Sequence, residues 1–488
     1  MPTVDLNRRA FLHLTAGTAI CSLASRSLLA AVRGEPALRL GVLSDIHLNE
    51  KAMKGKDGDA NAYGSGKRGT FRAALEYFRD RKVDAVVIAG DMADTGQFYE
   101  LQEVGRLWNE VFPNGKRSDG QPVEKVFVYG NHDVLAWAWS LKGRDPKTVA
   151  AAKEKAVARD LAASWKAAFG EDWQPVYHKT VKGHVFLCAH WGHEKEIPAY
   201  AKAHAAELDL GARHPFFCVQ HPNLKNTLFT YWGDGGCDKG ELTAFLKDYP
   251  WAVSFSGHSH MALTDDRSIW QGDFTALNTC TLLQISDPYG KEWACVNSRC
   301  KDKTKLRHMQ STSRKGRQGM VVDVYPDHLE VDRREFTLGL EAAPCVSVPL
   351  PADVSNPNGF SYAAQKARAR VPQFPIGAQA TAVRQTGRNT LKKKEAQIAV
   401  SFPSAVAAGE KGRVLLYRVE SFDAKDAKLG SWQLAQDFHF HPLAKVPAAM
   451  KLVIGADEVP ANAPIRFQIT PLGFFRQEGQ PLSCELKA

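Results

Sequence analysis

The chain contains no Cys-x-x-Cys pair, no internal repeat and no long low-complexity tract. Nine cysteines in 488 residues without that tight spacing argue against a zinc knuckle or a dithiol redox site. Beyond the N-terminus there is no apolar run long enough to span a bilayer. No basic helix with interleaved aromatics marks a nucleic-acid surface, although the net charge is +10. The remaining composition, 44% hydrophobic and 24% charged, is that of a folded globular chain. A chain this long is expected to divide into two domains. Its basic balance favours anionic ligands.

What the sequence does contain is an ordered series of hard oxygen and imidazole donors. They are Asp45-Ile46-His47, Gly90-Asp91-Met92-Ala93-Asp94, Gly130-Asn131-His132-Asp133, His221 and Gly257-His258-Ser259-His260. Nearly all follow short apolar runs: Leu38–Leu43, Ala85–Ala89, Lys125–Tyr129, Phe216–Gln220 and Ala252–Ser256. Continuous apolar strands belong in a sheet covered on both faces. Ligands gather beyond the carboxyl ends of such strands. Alternation along extended backbone would aim Asp45 and His47 at one point and put His258 and His260 on the same side. Asp91 has two carboxylate oxygens to divide between two cations. A mixed nitrogen and oxygen set suits Mn, Fe, Zn, Co or Ni better than Ca or Mg.

Other segments have local readings. A helix is predicted around Thr70–Phe78 and an outer helix over Val149–Phe169. Val185–Ala189 reads as a further strand, and after Asp273 short strands take over, including Phe274–Leu277, Thr281–Ile285 and a hairpin around Pro326-Asp327. The basic stretch from Lys291 to Gln318 reads as a surface loop. Strands at Ile398–Phe402, Arg413–Val419 and Ile465–Ile469 suggest a β-sandwich-like appendage. Cys188 and Cys218 read as buried thiols, and Cys295 and Cys300 are near enough in sequence to pair. His190 and His193 follow a strand and could line a pocket without being ligands; Trp191 and Trp232 read first as core or rim packing and second as a stack for a substrate ring; Asn223, after Gln220-His221-Pro222, could touch substrate.

The donor series resembles the calcineurin-like metallophosphoesterase family, whose clusters it repeats in order from about Leu38 to Phe336. The resemblance implies an α/β fold, a four-layer α/β/β/α sandwich, with a β-rich C-terminal domain. It implies one divalent metal on Asp45, His47, Asp91 and His260, and a second on Asp91, Asn131, His221 and His258. His132 would be the catalytic imidazole, Asp133 would orient it, and Asp94 would support the ligands. The implied reaction is hydrolysis of a phosphodiester or phosphomonoester by a dimetal-bound hydroxide. A non-catalytic binding or scaffold protein on the same fold is the alternative. Purple acid phosphatases, which resemble the pattern, have Tyr at the place of Asp94 and lack the His at position 47.

Asn7-Arg8-Arg9-Ala10-Phe11-Leu12 and the weakly apolar stretch after it resemble bacterial twin-arginine signals. The expected layout is therefore an export signal at 1–31, a metallophosphoesterase domain at 36–340 and a β-sandwich-like domain at 342–488. The expected location is periplasmic or secreted after export in folded form. The expected partners are the twin-arginine machinery and a phosphorylated small molecule or envelope substrate, with no nucleic acid and no stable membrane span in the mature protein.

Overall fold

The structure, a computed structural model, describes residues 34–49, 67–139, 145, 147, 161–228, 238–283, 285, 309–310, 316–388, 394–407, 410–411, 414–435, 448–461 and 464–486. The expected export signal, Trp232, Cys295, Cys300 and most of the basic stretch lie outside the described residues. The chain divides into compact units Met1–Ala37 and Leu38–Ala488, and every sheet belongs to the second.

The elements that position the site are, in chain order, β1 (Leu38–Leu43), α1 (Lys67–Asp80), β2 (Ala85–Ala89), α2 (Phe98–Val111), β3 (Glu124–Val128), α3 (Asn131–Trp139) and α4 (Leu161–Phe169). They continue with β4 (Val176–Val181), β5 (His184–Ala189), α5 (Ile197–Ala203), α6 (Ala205–Leu208), β6 (Phe216–Val219), α7 (Glu241–Leu246) and β7 (Ala252–Ser256). Next come β8 (Ile269–Gln271), β9 (Thr275–Asn278), β10 (Met309–Gln310), β11 (Gln318–Val324), β12 (His328–Glu335) and β13 (Leu340–Pro349).

Two six-stranded mixed sheets carry these elements. The first has the order β13-β12-β11-β1-β2-β3, the second β4-β5-β6-β7-β9-β8. In the first, β1, β2 and β3 run parallel. In the second, β5, β6, β7 and β9 run parallel. Parallel strands require crossovers, and the helices between them supply these. The apolar runs alternate their side chains between two buried faces. Leu40, Val42, Val87 and Ala89 of the first sheet share a buried cluster with Phe186, Phe217, Val219 and Phe255 of the second. On its other face the first sheet packs Val86, Ile88 and Phe127 against Phe71, Leu107 and Trp108 of the helices. The second sheet packs Leu187 and Cys218 against Ile197, Leu242 and Leu246. Cys188 and Cys218 are buried thiols, as read from their apolar runs.

The expected strand at Thr281–Ile285 does not form. The Leu282 amide is instead 3.1 Å from the carbonyl oxygen of Asp45, and Thr281 Oγ1 donates to that same oxygen at 3.1 Å. Those groups brace the site rather than a ladder. The expected hairpin does form, as β11 against β12, and β13 extends that sheet to Pro349. The remainder is β-rich. One sheet has β10, β20 (Lys428–Ala435), β19 (Leu416–Phe422), β22 (Ile465–Leu472) and β23 (Leu482–Leu486); another has β15 (Thr381–Arg388), β16 (Lys394–Pro403) and β21 (Ala449–Gly455). Val400 and Leu452 share a buried cluster with Val419, Trp432 and Phe467 across these sheets. Among the described residues no helix is long and apolar enough to cross a membrane.

Candidate metal centre

The centre is assembled at the carboxyl ends of β1, β2, β3, β6 and β7. The loops after β1 and β2 continue the pairing of their strands. Asp45 N donates to Gly90 O at 3.0 Å, His47 N to Asp91 O at 3.0 Å, and Asp94 N to Leu48 O at 2.8 Å. This keeps the two loops in fixed register without being strands themselves. Asp45, His47, Asp91, His258 and His260 all have positive φ, between 50° and 64°. Non-glycine residues adopt that region at a cost, and such strain collects at functional sites.

This geometry corrects two expectations. Asp45 and His47 do not converge by strand alternation, because β1 ends at Leu43 and both residues are left-handed. His258 and His260 do not lie in extended backbone, although they do join the separate clusters that the family resemblance implied. His260 joins Asp45 and His47, whereas His258 joins Asp91 and His221. In each cluster one donor atom per residue lies within 4.8 Å of the others. His260 Nε2 stands 3.0 Å from Asp45 Oδ1, and His221 Nε2 stands 3.2 Å from Asp91 Oδ2. His47 Nε2 is 3.7 Å from Asp45 Oδ1 and 3.6 Å from Asp91 Oδ2. A third overlapping group contains His47, Asp91 and His132.

Asp91 does not divide its two oxygens between the clusters. Its Oδ1 accepts the His132 backbone N–H at 2.7 Å, and its Oδ2 faces both His47 and His221. The glycines of the motifs are needed for close approach. A Cβ on Gly130 would meet Asp91 Oδ1 at 2.2 Å, and one on Gly90 would meet His221 Nδ1 at 2.3 Å.

The ring orientations are fixed from behind. His47 Nδ1 lies 3.2 Å from Asp94 Oδ1, and His221 Nδ1 lies 2.6 Å from the Ala89 carbonyl oxygen. Both rings therefore turn Nε2 toward the carboxylates, the usual preparation of a ligand imidazole. Asp94 also holds His132, whose Nδ1 is 2.8 Å from the Asp94 carbonyl oxygen. Asp133, expected to orient His132, does other work. Its carboxylate accepts from the backbone N–H of Ala93 at 2.7 Å, Gly130 at 2.8 Å and Met92 at 3.2 Å. It ties the β2 loop to the β3 loop.

Electrostatics follow from burial and crowding. Burial alone would raise the Asp45 carboxyl pKa, but His260, His47 and His221 hold it well below the ordinary range. Burial opposes the charge on His47, yet Asp45, Asp94 and Asp91 push its pKa up to about 10. The same balance, led by burial and overcome by Asp91, lifts His221 to about 9. Asp91, opposed by burial, is drawn down to about 2 by His221 and His47. His258 is depressed to about 3, first by burial and then by His221. Burial and the neighbouring His47 lower His132. Burial, then the Asp91 charge, raises Asp133 to about 7.

The donors fit a metal pair on a direct criterion. Asp45 Oδ1, His47 Nε2, Asn131 Oδ1 and His221 Nε2 are all buried with no hydrogen-bond partner. Buried polar atoms are normally paired, so Asp45 Oδ1, His47 Nε2 and His221 Nε2, gathered beside Asp91, call for an electrophile. Ligands sharing an ion at about 2.0–2.2 Å stand about 2.8–3.1 Å apart at right angles and about 3.3–3.6 Å apart at tetrahedral angles, and the nitrogen–oxygen separations of 3.0, 3.2 and 3.6 Å span that range.

Of the residues that sequence left ambiguous, Trp191 sits over the centre, its ring 5.3 Å from His258 and 5.8 Å from His221. Asn223 is fully buried and accepts from Ser256 Oγ at 2.6 Å. His190 is buried among Tyr129, Trp165 and Trp173, and His193 pairs with Glu196. Neither belongs to these three groups. Ser44 was not singled out by sequence; its hydroxyl donates to Asp45 Oδ2 and receives Thr279 Oγ1. No signal short of contact geometry would have found it.

Parts of the chain are similar to known proteins. Residues 38–262 match the model of the family described as calcineurin-like phosphoesterase. No curated protein sequence matches the chain. Among solved structures, a dimetal phosphatase from Danio rerio is similar at 11% identity and a TM-score of 0.33, covering 64% of this chain and 99% of its own. A purple acid phosphatase from yellow lupin, Lupinus luteus, is similar at 11% identity and a TM-score of 0.38, covering 65% of this chain and 55% of its own. Residues 38–262, which hold every donor of the centre, are thus similar to the calcineurin-like phosphoesterase family.

Proposed function

We propose that this protein is a metal-dependent phosphoesterase that hydrolyses a phosphodiester or phosphomonoester. The observation that carries the reading is the set of buried, unpartnered donor atoms Asp45 Oδ1, His47 Nε2 and His221 Nε2 beside Asp91. Asp45, His47, Asp91 and His260 would hold one divalent ion; Asp91, Asn131, His221 and His258 would hold the other. Bound there, such a pair supplies a water nucleophile at neutral pH and offsets charge on phosphoryl oxygens. The chain's own residues do the rest. Asp94 and the Ala89 carbonyl lock the ligand rings, so little reorganisation accompanies reaction. With His132 Nδ1–H donating to the Asp94 carbonyl, Nε2 is the atom that moves a proton, to the leaving oxygen. Trp191 walls the His221 and His258 side and shields it from water.

The two stacked sheets with helices outside support a four-layer α/β/β/α reading, and the β-rich remainder a second domain. The N-terminal arginine pair supports export of the folded protein by the twin-arginine machinery, with a periplasmic or secreted location. A phosphorylated small molecule or envelope component is the substrate class consistent with that location.

The test is direct. Purified protein reconstituted with Mn should cleave bis-p-nitrophenyl phosphate or p-nitrophenyl phosphate, and His132→Ala should lose most of that rate. Metal-replete protein inert on every phosphoester, or full activity in Asp91→Ala, would overturn the assignment.

A further inference from the structure

Among the described residues one group of metal-ligating side chains lies outside the centre around Asp91. His178 comes from β4; His204 caps the junction of α5 and α6, and Glu207 lies in α6. One donor atom from each falls within 4.8 Å of the other two. His178 Nε2 is 3.5 Å from Glu207 Oε2, and His204 Nδ1 is 3.4 Å from Glu207 Oε1. A charge-assisted hydrogen bond would close to about 2.7–2.9 Å. Donors around one tetrahedral ion at about 2.0–2.2 Å instead stand about 3.3–3.6 Å apart. The observed separations are of the second kind.

The imidazole is also prepared from behind. His178 Nδ1 lies 3.0 Å from the Tyr200 hydroxyl oxygen, and the Tyr200 ring stacks on His204 with centroids 4.3 Å apart. In the tautomer whose Nδ1–H donates to that hydroxyl, His178 presents its Nε2 lone pair toward Glu207.

A second, independent feature marks the same place. His178, His204 and Tyr200 border a cleft of about 600 Å³, which His190 also borders. His190 Nδ1 accepts the Tyr129 N–H at 2.8 Å, so Nε2 carries the proton. That Nε2 is buried without a partner, on a residue 1% exposed. A buried donor with no acceptor is costly, so an unmet polar demand stands beside the cleft.

We infer that His178, His204 and Glu207 form a third site, for a divalent transition ion of the zinc type, at this cleft. Two imidazoles and one carboxylate select zinc, copper, nickel or cobalt over magnesium or calcium. Three protein donors leave a coordination position open to water or an anion from the cleft. The side chains of His204 and Glu207 are 35% and 62% exposed, so the ion exchanges with solvent more readily than the buried pair.

The full-length protein is dialysed to equilibrium against micromolar zinc, and bound metal is counted per chain. Three equivalents are expected, and two in a His178→Ala, His204→Ala double variant whose cleavage of bis-p-nitrophenyl phosphate is unchanged. Asp91→Ala should retain the third equivalent, which makes the outcome independent of the phosphoesterase assignment. In that variant, Cu(II) should show nitrogen hyperfine coupling that vanishes when His178 and His204 are also replaced. Loss of no equivalent in the double variant, or no His178-dependent copper signal, overturns the inference.

Discussion

The His132 backbone N–H donates to Asp91 Oδ1 at 2.7 Å, and this bond leaves Oδ2 as the oxygen that faces His47 and His221. The residue assigned to proton transfer therefore also orients the carboxylate shared between the two clusters. Replacing the His132 side chain leaves that backbone bond in place. Asp91→Ala removes the shared donor altogether. It should lose both centre metals by elemental assay and at least about 100-fold in phosphoesterase rate. His132→Ala should keep both metals while losing rate.

The glycines at 90 and 130 make a steric prediction. Gly130→Ala places a methyl against Asp91 Oδ1, and Gly90→Ala places one against the His221 ring on backbone at φ +89°. Each should lower the metal content and cost about 1–3 kcal/mol of stability, read as a fall in denaturant midpoint. Gly211→Ala, with open space around its Cβ and no positive φ, should change neither.

Metal uptake should be linked to protons. Without metal, His47 titrates at about 10 and His221 at about 9, so both are protonated at pH 7. Because these values lie above the ordinary imidazole value, the protons favour the metal-free fold most below about pH 6.5, and that contribution fades as pH rises through 9 to 10. Ligation requires neutral imidazole, so binding at pH 7 should release about two protons from this pair. Affinity should rise with pH toward 9, by up to about 100-fold per pH unit. Calorimetry in buffers of different ionisation enthalpy counts those protons. Release of none would contradict the apo electrostatics.

Asp94 and Asp133 should separate cleanly. The Asp94 carboxylate supports His47 and accepts from Asn49 at 2.9 Å, so Asp94→Ala should weaken metal affinity about 10–100-fold while the fold persists. His132 is held by the Asp94 backbone carbonyl, which survives the substitution. Asp133→Ala strands three backbone N–H groups and should cost about 3 kcal/mol or more in global stability. Thermal melting beside zinc titration distinguishes the two outcomes.

Much of this arrangement is legible in the chain. The runs at Leu38–Leu43, Ala85–Ala89 and Ala252–Ser256 could be read as strands because strands covered on both faces are continuously apolar. The Thr281–Ile285 run misled for the same reason, since apolarity does not say whether a backbone pairs in a ladder or braces a loop. The third cluster was equally hidden: His178, His204 and Glu207 are separated in sequence and carry no motif.

The sequence by itself determined which donors are available and that they follow strand ends, because residue type and apolar patterning are local properties. Tertiary structure alone decided that Asp91 faces both clusters through one oxygen, and that Asp94 rather than Asp133 holds His132. Those outcomes depend on left-handed backbone at five ligands and on bonds between loops far apart in the chain, such as Asp45 to Gly90 and His258 to Asp45. No local pattern encodes the direction of a side chain whose backbone is set by a distant partner.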